Sequence, residues 1–254
     1  MNNINEEIIL IIQARMGSTR LPQKMILDFH QSKGILEILI EKLQSIFHKN
    51  QIVLATTTNS NDDILVKIAE NKNVLFFRGN ENNVLKRFID CANYFGKQKI
   101  IRVCADNPFL DLDLLKQLIS SIEKGININE YISYEVNGIP AIKTHYGFFC
   151  EFVTLSTLQK VASATKENLY LEHVTNYIYS HPQSFRIKWL QAPESIANEQ
   201  DLRLTIDTID DFNTAKLIYQ NVEEPLTYDS IISYVNSRND LKEIMYNQIH
   251  NNEK

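Results

Sequence analysis

Arg15, Arg20 and Lys24 share one short stretch of chain, Gln13-Ala14-Arg15-Met16-Gly17-Ser18-Thr19-Arg20-Leu21-Pro22-Gln23-Lys24, with a glycine and two hydroxyl side chains. That mixture suits a polyphosphate. Gly17 has no Cβ and lets the backbone come close to an anion. Free N–H groups and hydroxyls then take phosphate oxygens, while the cations offset their charge. The stretch matches neither GxxxxGK[ST] nor GxGxxG, so it is not the loop of a P-loop ATPase or of a dinucleotide fold. A second run that could do chemistry is Arg102-Val103-Cys104-Ala105-Asp106-Asn107-Pro108-Phe109-Leu110-Asp111. An aspartate just past a buried strand, with a proline to stiffen its loop, is a good metal position, and that residue is Asp106. Asp111 sits where it can cap the following helix, and we assign it that role.

Some fold must bring these two runs together. Residues 8–12 are an unbroken apolar run of isoleucine and leucine, the signal of a buried strand. Residues 52–55, 74–77 and 99–103 repeat that signal. Between them, residues 35–47 place Ile35, Leu36, Ile38, Leu39, Leu43, Ile46 and Phe47 at helical spacing. Residues 62–69 open on Asp62 and Asp63, which suit a first helical turn. Residues 83–95 put Val84, Leu85, Phe88, Ile89, Ala92 and Phe95 on one face before a C-capping Gly96. Residues 112–123 read as a helix ended by Gly125.

Strands alternating with helices of this length imply right-handed crossovers and a mostly parallel sheet with helices on both faces. Ligands bind beyond the carboxyl ends of such strands, where both chemical runs lie. The pattern changes after residue 130. Residues 131–136, 147–154 and 185–191 read as strands of a small antiparallel extension. Residues 166–179 read as a helix, 202–206 as a strand and 210–219 as a helix that takes Asp210 and Asp211 into its first turn. The remaining C-terminal residues read as outer helices. We therefore expect one α/β domain over residues 1–254, with a distinct subregion at 130–192.

Composition bounds the function. The chain has 254 residues, 44% of them hydrophobic, enough for one large core. A net charge of -5 argues against a nucleic-acid binder, which would carry a basic surface. Cys91, Cys104 and Cys150 show neither CxxC nor metal-ligand spacing, and we read them as reduced thiols of a cytoplasmic protein. The apolar run after Glu7 is too short for a membrane span or a signal peptide.

The first run closely resembles the signature of the cytidylyltransferase family that includes CMP-sialic acid synthetases, CMP-Kdo synthetases and the SpsF-type spore-coat polysaccharide proteins, the last group most of all. The resemblance extends over residues 8–219. It takes in Ala55-Thr56-Thr57-Thr58-Asn59, Phe77-Arg78-Gly79-Asn80-Glu81-Asn82-Asn83-Val84-Leu85-Lys86-Arg87-Phe88, Tyr170-Leu171-Glu172-His173-Val174-Thr175 and Leu202-Arg203-Leu204-Thr205-Ile206-Asp207-Thr208. Gln23 and Ala105 stand where the family usually has glycine, Asn83 where it commonly has aspartate, and His145, Tyr146 and Phe149 in a segment where it carries aspartates.

The resemblance implies a Rossmann-like fold of the nucleotide-diphospho-sugar transferase type, a homodimer, CTP as the nucleotide and Mg²⁺ as cofactor. It implies that Arg15, Ser18, Arg20 and Lys24 hold the triphosphate, with Ala14, Gly17, Thr56, Thr57, Arg78 and Gly79 as further nucleotide contacts. Asp106 and Asp207 would be the metal ligands, and Arg15, Lys24 and Asp106 the catalytic groups. Mg²⁺ typically takes one or two carboxylates plus substrate phosphates, so a pair is what the chemistry needs. Tyr146, Glu151, Glu172 and His173 would face the acceptor, although a lone histidine on an apolar helix is also a common core residue. The implied reaction transfers CMP from CTP to an acidic sugar (a nonulosonic acid or Kdo-like) or related acceptor, releasing pyrophosphate, in surface glycan biosynthesis. The competing class is a metal-dependent glycosyltransferase acting on a nucleotide sugar. Such enzymes share a nucleotide-binding sheet and acidic metal ligands but usually lack an Arg/Lys-rich loop after the first strand. A non-catalytic nucleotide sensor would have no need of the carboxylate pair.

Overall fold

The computed structural model describes residues 6–124 and 129–252. Strand β1 (Ile8–Gln13) is apolar until its last residue because both of its faces are covered. Ile8, Leu10 and Ile12 enter one core, and Ile9 and Ile11 enter the other. Helix α1 (Ile35–Gln44) leads to β2 (Ile52–Thr57), α2 (Asp63–Asn71) to β3 (Leu75–Gly79), and α3 (Val84–Tyr94) to β4 (Lys99–Cys104), followed by α4 (Leu112–Lys124). Strands β3, β2, β1 and β4 lie side by side, all parallel. The expected parallel half is therefore present. Asp111 caps α4, its carboxylate accepting from the Asp113 and Leu114 amides at 2.9 Å each. Gly125, expected to end that helix, lies outside the described residues.

The second half adds β5 (Tyr131–Val136), β6 (Ile139–Pro140) and β7 (Glu151–Thr154), then α5 (Leu155–Ala164), α6 (Asn168–Glu172) and α7 (Asn176–Ser180). Strand β8 (Ile187–Gln191) and helices α8 (Glu194–Ala197), α9 (Ile209–Asn221), α10 (Tyr228–Asn236) and α11 (Asn239–Asn252) complete it. Among the described residues the sheet has 8 strands in the order β3-β2-β1-β4-β7-β5-β6, with β8 beside β5. The first core lies under α1, α4, α9, α10 and α11; the second is closed by α3, α5 and α7. No helix of the described residues is long and apolar enough to cross a membrane.

Four expectations are corrected. The pairings β4–β7, β5–β7 and β5–β6 are antiparallel, but β8 runs parallel to β5. Strand β7 begins at Glu151 rather than at residue 147. Gly147 instead makes a bend at φ +69°, where a Cβ would stand 3.3 Å from the Leu204 carbonyl carbon. The helix expected over 166–179 is two helices, broken at His173–Thr175 because the Thr175 hydroxyl turns inward to the Glu151 carboxylate, 3.0 Å away. Residues 202–206, expected as a strand, join no ladder, and Leu202, Arg203 and Leu204 are buried one after another rather than alternately. Leu204 and Thr205 both donate to the His145 carbonyl, at 2.8 and 3.2 Å, and Ile206 donates to that of Asp106 at 3.0 Å.

One departure from the family pattern has a backbone signature. Gln23 takes φ +60°, the left-handed region in which a Cβ is strained. The Ile26 amide closes the turn on its carbonyl at 2.9 Å. The turn thus has the shape a glycine would adopt freely, and Lys24 follows from it. Strain of about 1–2 kcal/mol against a glycine entropy cost of about 0.5–1 kcal/mol leaves a small net gain. We expect Gln23→Gly to stabilise the protein by about 0.5–1 kcal/mol in chemical denaturation; a loss of stability would show that the Gln23 side chain offsets the strain.

Candidate active site

The basic loop leaves β1 at Gln13 and is held from below by one carboxylate. Asp62, 2% exposed, accepts from the Met16 amide at 2.7 Å, the Thr56 hydroxyl at 2.8 Å and the Thr57 amide at 3.0 Å, and from the Thr57 hydroxyl as well. Burial opposes its charge. The hydrogen bonds from Thr57, Met16 and Thr56 outweigh that and hold the carboxyl below the usual carboxylate range. Thr56 and Thr57, expected to touch the nucleotide, therefore spend their hydroxyls on Asp62. Arg78 is used similarly: Nε donates to the Thr57 carbonyl at 2.9 Å, Nη2 to that of Asn59 at 2.7 Å, and Nη1 meets Asp63 at 2.6 Å. Gly79 lies against Arg87, whose Cγ would be 2.8 Å from an added Cβ. These four residues shape the loop bed.

Lys24 comes back from the loop beneath the carboxylates of the cleft and is 8% exposed. Its Nζ donates to the Ile206 carbonyl at 2.6 Å and lies 3.5 Å from Asp106 and 3.9 Å from Asp207. The two carboxylates, a hundred residues apart in the chain, thus share one ammonium. Arg20 meets Asp207 at 2.9 Å from the solvent side, and buried Arg203 reaches it at 3.4 Å. Arg203 is itself clamped by Asp211 at 2.7 and 3.0 Å, and Asp211 also accepts from the Asp207 and Thr208 amides. Asp211 belongs to the first turn of α9, as expected, and its carboxylate further orients Asp207. Among the described residues no group of three or more His, Cys, Asp or Glu side chains could hold a metal ion. A two-carboxylate site completed by phosphate and water is the set a Mg²⁺ ion accepts, so the residues present fit that ion.

The opposite wall carries the acceptor candidates. Arg15 reaches across to Glu172 at 3.4 Å, joining the basic loop to the end of α6. Glu172 and His173 are exposed and border the same cleft of about 370 Å³ as Arg20, Asp106 and Asp207. Glu151 lies at its back, 2% exposed, and accepts from Arg102, Tyr131 and Thr175. Tyr146 does not border the cleft: its side chain turns the other way, the hydroxyl donating to the Glu199 carbonyl. Ala14 is buried in continuation of β1, Ser18 accepts from the Leu21 amide at 3.4 Å, and Gly17 is exposed on the loop. Cys104 borders the cleft, but burial pushes its thiol up to about 12, against the pull of Arg102, so it offers no thiolate nucleophile.

Sequence reasoning thus names the residues that converge, Arg15, Arg20, Lys24, Asp106, Asp207, Glu172 and His173, and misses those that hold them, Asp62, Arg203 and Asp211. Asp62 was legible only as a helix-start residue. A hint lay in the two threonines just before it.

The fold and the charged groups gathered at the cleft fit a nucleotidyltransferase. The cytidylyltransferase family profile matches residues 9–246, and the chain belongs to that family. It is 35% identical over 223 residues to the spore coat polysaccharide biosynthesis protein SpsF of Bacillus subtilis (strain 168), covering 86% of this chain and 88% of that protein. A cytidylyltransferase from Leptospira borgpetersenii superposes with a TM-score of 0.83 at 28% identity, covering 95% of this chain and 98% of that one. A CMP:2-keto-3-deoxy-manno-octonic acid synthetase complexed with CTP shares the fold, with a TM-score of 0.62 at 12% identity over 84% of this chain and 98% of that one.

The Asp62 tether makes a signed prediction. A carboxyl held below its free value adds stability above the free pKa of about 4, and that stability drains away as pH falls toward the folded value. Asp62→Asn should be less stable than the native protein in denaturant melts at neutral pH, and the gap should narrow below about pH 4. A gap that stays constant across that range would remove the ionised carboxylate from the account.

Proposed function

We propose that this chain transfers the CMP unit of CTP to an acidic sugar of the nonulosonic or Kdo-like class, releasing pyrophosphate, and serves surface glycan synthesis in the cytoplasm. The observation that carries the reading is Lys24, whose ammonium stands within 4 Å of both Asp106 and Asp207 while Arg20 and Arg15 of the same loop flank the cleft. Asp106 and Asp207 would hold one Mg²⁺. Bound there, the ion would polarise the α-phosphate and offset the charge that develops on it. Arg15, Arg20 and the Ser18–Lys24 backbone would take the β- and γ-phosphates. An acceptor oxygen then attacks the α-phosphorus in line, the bond to the β-phosphate breaks, and pyrophosphate leaves against those cations. No covalent enzyme intermediate is needed, which agrees with the unreactive Cys104 thiol.

The same reading has two copies of the chain associating through residues 130–192. Ile139 and Leu169 in that region are 51% and 52% exposed, as apolar residues awaiting a partner surface would be.

The test is pyrophosphate release with each of the four NTPs against nonulosonic acids, Kdo and simple phosphorylated acceptors. CTP with a sugar acid should give turnover. Release from no NTP, together with transfer from a nucleotide sugar, would overturn the reading. Asp106→Asn and Lys24→Met should each lower kcat by about a hundredfold or more, and near-native turnover of Asp106→Asn with Mg·CTP would remove the metal assignment.

A further inference from the structure

Two polar side chains behind the cleft have unmet hydrogen-bonding capacity. Ser133 on β5 is 1% exposed and Asn107, after β4, is 6% exposed. Both border the cleft. The Asn107 Oδ1 makes no hydrogen bond, and the Ser133 Oγ has only the Tyr131 hydroxyl beside it, in a geometry short of a full hydrogen bond. A buried polar group without a partner costs on the order of 1–3 kcal/mol, and native structures rarely keep one without a use.

A third group in the same cleft is oriented by its neighbours. Arg102 donates from Nε and Nη2 to the Gln13 Oε1, at 3.3 and 3.1 Å. That fixes which end of the amide is which and leaves Gln13 Nε2 as a donor at the cleft. The charge of Arg102 is itself met by Glu151. The inner cleft therefore presents hydroxyl and amide groups with no uncompensated charge. At the rim stands Lys143, exposed, its Nζ 5.5 Å from the Tyr179 ring centroid.

We propose that Gln13, Ser133 and Asn107 form the acceptor subsite, reading neutral hydroxyl or amide groups of a polyhydroxylated acid whose carboxylate is met by Lys143. A serine hydroxyl moves between staggered positions at little cost, so Ser133 turns to the ligand as it binds. The acceptor thus supplies the partners that Ser133 and Asn107 lack. This rests on the acceptor reading above, and the experiment separates the two.

Binding is measured apart from turnover, by calorimetry of the native protein and of Ser133→Ala, Asn107→Ala and Lys143→Gln, with Kdo, with N-acetylneuraminic acid and, separately, with CTP. At least one acid should bind the native protein and lose about tenfold or more in Ser133→Ala and in Asn107→Ala, a site that hydrogen-bonds its ligand being sensitive to each lost partner. CTP affinity should stay within about twofold. Lys143→Gln, a surface change with no risk to folding, should weaken the acid severalfold. Acid affinities unchanged in all three variants, equal losses of CTP and acid affinity, or no binding of either acid to the native protein would each overturn the subsite. Binding that follows the expected pattern without pyrophosphate release would leave the subsite standing and sink the transfer reaction instead.

Discussion

Two carboxylates can face one cleft together at low cost only if cations stand with them, since like charges repel. Lys24, Arg20 and Arg203 meet that requirement around Asp106 and Asp207. Much of the fold follows from it. Lys24 must be delivered by the turn after β1, and this explains why that turn keeps a left-handed residue even with glutamine at position 23. Asp207 must be carried by a segment outside the sheet, so residues 204–206 borrow the carbonyls of His145 and Asp106 in place of a strand partner. Arg203 must stay charged though buried, and Asp211 answers it with a two-pronged pair.

The basic loop poses the inverse problem. Its cations repel one another, and its own polar groups close only short turns, the Ser18 amide on the Met16 carbonyl at 2.9 Å and the Leu21 amide on the Ser18 hydroxyl at 3.4 Å. Asp62 secures it from outside through the Met16 amide, while Thr56 and Thr57 supply the donors that keep Asp62 ionised. Arg78 then ties β3 to the same turn through two carbonyls and Asp63. Thr56, Thr57 and Arg78 thus brace the basic loop and the turn beside it.

The parallel half was legible in the sequence because burial on both faces leaves apolar runs, and amphipathic helices leave a 3.6-residue period. Arg15, Arg20, Lys24 and Asp106 were legible because charged groups just past buried strands have no packing role there, whereas Asp207, Glu172 and His173 were named through the family resemblance. The chain between 145 and 150 and between 202 and 206 was not, because its shape is set by backbone bonds to remote carbonyls and by a close approach at Gly147, none of which has a local period. The break between α6 and α7 was hidden for a similar reason: Thr175 reads as one more helical residue until Glu151 is placed beside it. Tyr146 illustrates the limit of carrying roles by position, since one residue's turn at the bend sends its ring to Glu199 while His145 and Gly147 keep the cleft.

The wall around Arg102 and Glu151 follows from the same electrostatics with the sign removed. Arg102 would be an obvious anion site at the foot of β4, but Glu151 sits against it and Tyr131 and Thr175 complete the carboxylate. A neutralised pair in a low-dielectric interior offers little net attraction to a ligand charge and strongly fixes whatever it touches. What it touches is the Gln13 amide, on the strand that also launches the basic loop. The Gln13 amide and the basic loop thus share one strand end. An acid bound in this cleft would find its charge matched only toward the rim, with its neutral groups inward, and that fixes the direction in which it points at the α-phosphate.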